Sequence, residues 1–242
     1  MGTLPLKNSE ELKQTNEIKM AIPLLDPIDI QDKNITADAL LTQRSLAEYL
    51  VTERKAHYFF TVKANQPTLL EDLQIYFQDR KEPDFVLYDP PDHGRIETRK
   101  IWTTSDLNSY LNFPHVGQAF LVERESIDKK SGEYSHDFAY CITSRTPEQA
   151  NPETVLRINR GHWSIEDSCH YIIDWNFDED RSRIRTGYGP ENVSRLRRLA
   201  VSLIKSKKVR SVAQKMRRLT MRVRSVFDYL HMTHNSCTRA RL

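Results

Sequence analysis

Two runs, Asn34 to Asp38 (NITAD) and His57 to Ala64 (HYFFTVKA), bracket a segment with helical apolar spacing, and this succession constrains the fold more than any other feature. Parallel strands cannot be joined by a tight turn; they need a crossover of a dozen or more residues, usually a helix. Thr42 to about Lys55 fits that crossover, with Leu46, Tyr49 and Leu50 on one apolar face. HYFFTVKA is β-branched and aromatic, which predicts a buried strand. NITAD ends on an acid. Ligands of α/β sheets gather at the carboxyl ends of strands, so Asp38 stands where chemistry is expected. A short helix at Asn16 to Leu25, stopped by Pro27, comes before the unit.

From Pro83 the character changes. FVLYD (Phe85 to Asp89), RIETRKIWTT (Arg95 to Thr104), QAFLVERE (Gln118 to Glu125) and FAYCITS (Phe138 to Ser144) are β-type runs, separated by turn signals at Asp89 to Gly94 and Lys129 to Gly132. Pro152 suits the first turn of a helix reaching about Trp175, on which Glu166, His170 and Ile173 share a face beside an apolar stripe of Ile165, Cys169 and Ile172. Beyond Gly189-Pro190 a further helix is predicted over Glu191 to Ser206. Val209, Val212, Met216, Leu219, Val223, Val226 and Leu230 then repeat in steps of three and four, an apolar seam of the kind that pairs helices. The organisation expected is an α/β core over residues 1–82, a β-rich insert over 83–150, a helical return over 151–206 and a basic helical terminus over 207–242.

Charge divides the chain in two. Arg181 to Leu242 holds 17 Lys and Arg against only Glu191 and Asp228, a local net of +15, whereas residues 1–180 hold 19 basic against 31 acidic groups, a net of −12. The total of +3 hides this split. A cationic half points to a polyanion, bound through phosphate contacts that release counterions and weaken with salt; the competing assignment is a solvated, salt-bridged helical face. No apolar run approaches the roughly 18 residues of a membrane span, and the acid-bearing start lacks a secretory pattern, so a cytoplasmic protein without a membrane partner is expected. Cys141, Cys169 and Cys237 form no CxxC pair and are expected to be ordinary thiols.

Arg160 to Arg185, RGHWSIEDSCHYIIDWNFDEDRSRIR, sets acids between basic and aromatic residues just ahead of the cationic tail. A carboxylate cluster beside a polyanion-binding surface is what metal-dependent phosphodiester chemistry on DNA needs. TADALLTQ (Thr36 to Gln43), YFFTVKANQPTL (Tyr58 to Leu69), HGRIETR (His93 to Arg99) and HWSIEDSCHYIIDWNFDEDRSR (His162 to Arg183) resemble, in this order, the motifs of bacterial insertion-sequence transposases of the DDE class, in the H-repeat-associated, ISAs-type branch. TNEI (Thr15 to Ile18) and PLLD (Pro23 to Asp26) fit the segment just upstream, and the resemblance runs from Thr15 to Leu230.

What the resemblance implies is a ribonuclease H-like core, a mixed sheet with flanking helices, interrupted by the β-rich insert and followed by the basic helical terminus. In that family three carboxylates hold two divalent ions, Mg²⁺ or Mn²⁺, next to double-stranded DNA at the transposon ends. Asp38 matches the second acid and Glu166 the third. Lys63, Arg160, His162, Arg181, Arg183, Arg185, Arg217 and Arg218 are the expected DNA contacts. The family's first acid lies in an Asp-Gly-Lys-like segment that has no counterpart here; Asp26, Asp29 and Asp32 lie too close to Asp38 to replace it. Where related families carry an Arg before the Trp and a basic residue seven after the Glu, this chain has His162 and Ile173. The expectation is therefore a carboxyl-terminal portion of a transposase with an incomplete core, inactive alone. Two alternatives stand beside it: a non-catalytic DNA-binding remnant that regulates a full-length transposase, and an interaction or self-association module built on the Val209 to Leu230 seam. Locally, Asp38 competes with a helix N-terminal acid, and Asn65-Gln66-Pro67 with a plain turn.

Overall fold

The computed structural model describes residues 9–79, 82–92, 95–165, 171–179, 181–207, 209–230 and 232, in two compact units, Met1–His162 and Trp163–Leu242. Among the described residues, no helix is long and apolar enough to cross a membrane.

The first unit is built on one six-stranded sheet in the order β1-β2-β6-β5-β4-β3. Its strands are β1 (Asn34–Ala37), β2 (His57–Val62), β3 (Phe85–Asp92), β4 (Arg95–Thr104), β5 (Gln118–Asp128) and β6 (Tyr134–Thr143). β1 and β2 pair in parallel, with Thr36 opposite Phe59, and every other pairing is antiparallel. The crossover expected between β1 and β2 is present in a less regular form: a 3₁₀ turn (Ala39–Leu41), α2 (Arg44–Glu48) and a wider π turn (Tyr49–Glu53). The β-rich block is thus a four-stranded meander that continues the parallel pair, because β6 returns to lie along β2. Its strands outrun the sequence-based limits. β3 carries on through Asp89 to Asp92 with a shift of register between them, and β6 starts at Tyr134 rather than Phe138.

Side chains alternate between two cores, as strand geometry demands. Tyr58, Phe60, Val62, Trp102, Leu121 and Ile142 enter the larger one, where Leu46 and Leu50 pack beside Leu69, Leu73 and Phe77 of α3 (Pro67–Gln78). Phe59, Ile101, Phe120, Val122 and Cys141 point the other way, to Val155 and Leu156 of α4 (Pro152–Ile165). β2 is thereby buried on both faces. The helix α1 spans Ser9–Leu25, longer than expected and with Pro23 inside it.

The second unit is helical: α5 (Tyr171–Phe177), α6 (Gly189–Ser206), α7 (Val212–Met221) and α8 (Val223–Tyr229). The single helix expected from Pro152 to Trp175 is represented by α4 and α5, and residues 166–170 between them lie outside the described residues. The continuous seam of Val209 to Leu230 is not found. Arg222, at φ −140° and ψ 84°, leaves the helical region and splits the seam between α7 and α8. Thr220 hydrogen-bonds back to the Met216 carbonyl at 3.0 Å, and the β-branched Thr220, Val223 and Val226 hold a helix weakly, so the stretch bends where a coiled-coil partner would need it straight.

Candidate functional site

The carboxyl ends of β1 and β2 form the edge where Asp38 sits. Its backbone stays extended (φ −72°, ψ 177°) and its exposed carboxylate caps the 3₁₀ turn, accepting from Leu41 N at 3.3 Å. The local N-terminal-acid role is therefore real, yet the bond is long and leaves most of the carboxylate's lone pairs free. The loop itself is held tightly. Thr42 is fully buried, and its hydroxyl lies 2.6 Å from the Thr61 carbonyl of β2 and 3.2 Å from that of Asp38. Gln66 Nε2 donates to Thr42 O at 2.9 Å, and Asn65 Nδ2 donates to Ala39 O. Asn65-Gln66-Pro67 is a turn, as its composition suggests, and the same two amides clamp the loop that carries Asp38. Lys63, the first residue after β2, is exposed on this edge.

A second motif reaches the same strand from α4. His162 Nδ1 lies 3.1 Å from Thr36 Oγ1. Thr36 pairs with Phe59, whose side chain faces α4, and strand alternation puts Asp38, two residues on, toward that side as well. Glu166 follows His162 by four residues in sequence and, with Cys169 and His170, lies outside the described residues.

The other expected contacts fall into distinct environments. Arg160 is engaged internally: its Nη1 donates to Asp89 Oδ1 at 2.5 Å, tying α4 to β3. Asp89, 11% exposed, also accepts from Arg99, which bonds Glu97 at 2.5 Å. Glu97 and Arg99 belong to the HGRIETR motif, whose first two residues, His93 and Gly94, lie outside the described residues; Arg99 of the motif holds Asp89, the acid to which Arg160 ties α4. In the second unit Arg181 stands 3.6 Å from Asp178, while Arg183, Arg185, Arg217 and Arg218 are exposed.

One cluster escaped the sequence reasoning. Glu123, Glu125 and His136 bring ligand-type atoms within 4.8 Å of one another. The available signal was alternation: residues 123 and 125 share a strand face, and His136 is opposite Glu125 in register. His136 Nε2 bonds Glu123 at 2.6 Å, and Tyr134 donates to Glu125 at 3.1 Å. Lys100 Nζ already sits 3.6 Å from Glu123 and 3.3 Å from Glu125, so this group carries its own cation and acts as an ion-pair latch across β4, β5 and β6. Lys100's hydrogen bond holds the Glu125 carboxyl below its ordinary value, against the opposing effect of burial. Burial lowers the Lys100 pKa, but the hydrogen bonds and charges of the two carboxylates outweigh it and raise the value. Cys141 is fully buried, and burial pushes its thiol up to about 12, which leaves it unreactive near neutrality, as expected of an ordinary thiol. Cys169 and Cys237 lie outside the described residues.

The family model described as Transposase DDE domain matches residues 2–202. YncI of Escherichia coli O157:H7, which bears a transposase name, is 28% identical over 202 residues, covering 79% of this chain and 50% of YncI. YhhI of Escherichia coli K12, named as H repeat-associated, is 26% identical over 233 residues, 91% of this chain and 61% of YhhI. The chain thus spans half to about three fifths of the length of these relatives. Among solved structures, the piggyBac transposase synaptic complex with hairpin DNA matches with a TM-score of 0.43 and 17% identity, over 100% of this chain and 44% of that one, a likeness too low for residue comparison. With the family model matching well over half of its residues, the chain belongs to the DDE transposase family.

Proposed function

We propose that this chain supplies two metal-holding carboxylates of a DNA transposase, Asp38 and Glu166, together with basic helices that hold double-stranded DNA, and that in the whole protein they serve DNA strand cleavage and transfer. The observation that carries this is the His162–Thr36 hydrogen bond. His162 opens HWSIE and Thr36 opens TAD, so the two acid-bearing motifs touch at their first residues. Each acid then follows a few residues later in its own motif.

Asp38 suits a hard divalent cation. Its carboxylate is exposed, accepts one long backbone bond, and rides on a loop fixed by Thr42, Asn65 and Gln66. A Mg²⁺ or Mn²⁺ ion held by Asp38 and Glu166 would supply activation of a water or 3′-hydroxyl and neutralise charge developing at phosphorus. The fixed loop keeps the carboxylate from reorganising during the reaction. Lys63 adds a positive charge on the same edge, where a phosphate would lie. Arg183, Arg185, Arg217 and Arg218 contact the duplex backbone. A second reading, a DNA-binding regulator without catalysis, is favoured by the exposed cations of the helical unit, which need no metal to bind a polyanion.

Iron-directed cleavage separates the two. With Fe²⁺ in place of Mg²⁺, ascorbate and peroxide should cut the chain both near Asp38 and near Glu166; excess Mg²⁺ should suppress the cuts and Asp38→Asn should abolish them. Cutting at one place alone, or cutting unaffected by Asp38→Asn, would sink the shared metal site. Duplex binding in the absence of any such cutting would leave the regulator.

A further inference from the structure

We infer that the elbow between α7 and α8 is a phosphodiester-binding groove that grips the backbone of DNA. The break at Arg222 opens a groove of about 600 Å³ lined by Lys215, Arg218, Leu219, Met221, Arg222 and Ser225. Lys215 and Arg218 share a face of α7, Arg222 stands at the break and Ser225 on α8, so three cations and a hydroxyl line the same groove. None of the six lining residues is acidic.

The cations are available. Several arginines elsewhere in the protein are committed to carboxylates: Arg99 and Arg160 to Asp89, Arg195 to Glu191, Arg197 to Glu179. Among the described residues no carboxylate pairs with Arg218 or Arg222. Lys215 lies over the Tyr229 ring at 4.4 Å, a contact that orients the ammonium and leaves its charge uncancelled. Tyr229 is itself fixed by its hydroxyl bond to the Ile204 carbonyl at 3.0 Å. The carboxyl end of α7 presents roughly half a negative charge to the same place, which works against an anion. Three full positive charges outweigh it.

Phosphodiesters occur in nucleic acids and in lipid headgroups, and the burial pattern favours the former. A membrane-lying helix must offer its apolar stripe to the acyl region. Here Val212 is buried and Met216 and Leu219 are half-buried within the unit, so that stripe is used inside the protein. Arg217, Arg218, Arg222 and Arg224 remain outward beside Met221, Phe227 and Leu230, and this run of four arginines suits the repeating phosphates of a duplex. The inference rests on the DNA-binding part of the function proposed above, not on the metal site.

The test is fluorescence anisotropy of a labelled duplex with the full chain, titrated across salt in EDTA, so that loss of the Asp38–Glu166 site cannot affect the outcome. Each phosphate contact contributes about 0.9 to the slope of log affinity against log salt. Arg218→Ala/Arg222→Ala should lower that slope by about 2 and weaken binding roughly tenfold at 100 mM salt. Arg195→Ala/Arg198→Ala, with the same loss of net charge on α6, should change the slope by less than about 1. Arg218→Lys/Arg222→Lys should restore it, and circular dichroism should be unchanged in all variants. An unaltered slope in the groove variant, or an equal fall in the α6 control, overturns the inference. So does tighter binding to phosphatidylserine vesicles than to duplex, lost in the same variant.

Discussion

The two units of this protein treat charge in opposite ways. In the sheet unit, charges on both faces of the sheet are spent on neighbours: Asp89 joins Arg99 and Arg160 on one face, and Glu123 and Glu125 join Lys100 and His136 on the other. In the helical unit Glu179 pairs with Arg197 and Glu191 with Arg195, while Arg218 and Arg222 line an open groove and pair with no carboxylate among the described residues. Equal side chains therefore have unequal meanings. Arg99 and Arg160 tie elements of the sheet unit together, whereas Arg218 on α7 pairs with no carboxylate among the described residues.

That contrast breaks first at Asp89, where the largest effect is expected. Its carboxylate is 11% exposed and Arg99 is 13% exposed, so removing the acid leaves the poorly hydrated Arg99 with Glu97 alone and releases Arg160 from the sheet. Losing one partner of a buried pair costs about 3 kcal/mol. Asp89→Ala should lower the stability of the sheet unit by that order in urea unfolding followed by tryptophan fluorescence, and should loosen α4. If stability is unchanged, the charge network is ornamental and the distinction between the units fails. A smaller loss, about 1 kcal/mol, is expected for Thr42→Val, which deletes the hydroxyl donor to Thr61 at 2.6 Å with little change of shape. The same variant should blur iron-directed cleavage near Asp38, because the clamp on that loop is weakened; sharp, wild-type cleavage would show that the clamp does not position the carboxylate.

Local pattern carried the strand, helix, strand unit because its signals are local: β-branched residues in β2, an apolar helical face at Leu46 and Leu50, an acid at a strand end. The place of Asp38 at the end of a strand is legible for that reason. The helix α3 has an equally local signature, Pro67 in its first turn and Leu69, Leu73 and Phe77 at a spacing of four, although the expectation at that point extends only to the turn Asn65-Gln66-Pro67. By contrast, the pairing of β6 with β2 joins residues more than 75 positions apart, such as Phe60 and Ile142, and no short-range pattern announces it. The same holds for Arg160 on Asp89, a tie between helix and sheet across 71 positions. The seam from Val209 to Leu230 failed for a further reason. Apolar periodicity reports which residues face a core, not whether the backbone joining them stays helical, and Arg222 shows that it does not.

The latch on β4, β5 and β6 sharpens the comparison through pH. Folding lowers the Glu125 pKa, chiefly through the Lys100 hydrogen bond, so as pH falls the unfolded chain takes up this proton before the folded one does. Its contribution to stability is therefore complete above the ordinary value of 4.5 and disappears as pH falls through the folded-state value. Lys100 behaves in the reverse sense: its raised pKa makes a contribution that is present below 10.5 and is lost as pH climbs through the higher folded value. Glu125→Gln should melt below wild type at pH 7 and converge with it in acid. Parallel melting curves across that range would show that the ion pair adds nothing.

The smallest effect is the most telling. Arg218→Ala should leave stability within ~0.5 kcal/mol of wild type, since the side chain is exposed and pairs with no carboxylate among the described residues. Its charge sits in a segment of net +15, where removing one like charge relieves repulsion, so any change should be toward greater stability at low salt. Added salt should then act in two directions at once. It screens the helical unit's self-repulsion and raises its melting temperature, while it weakens duplex binding by restoring the counterion atmosphere of the DNA. A helical unit that melts earlier in Arg218→Ala would mean that this arginine supports the fold after all, and the division between structural and partner-facing charge would have to be redrawn.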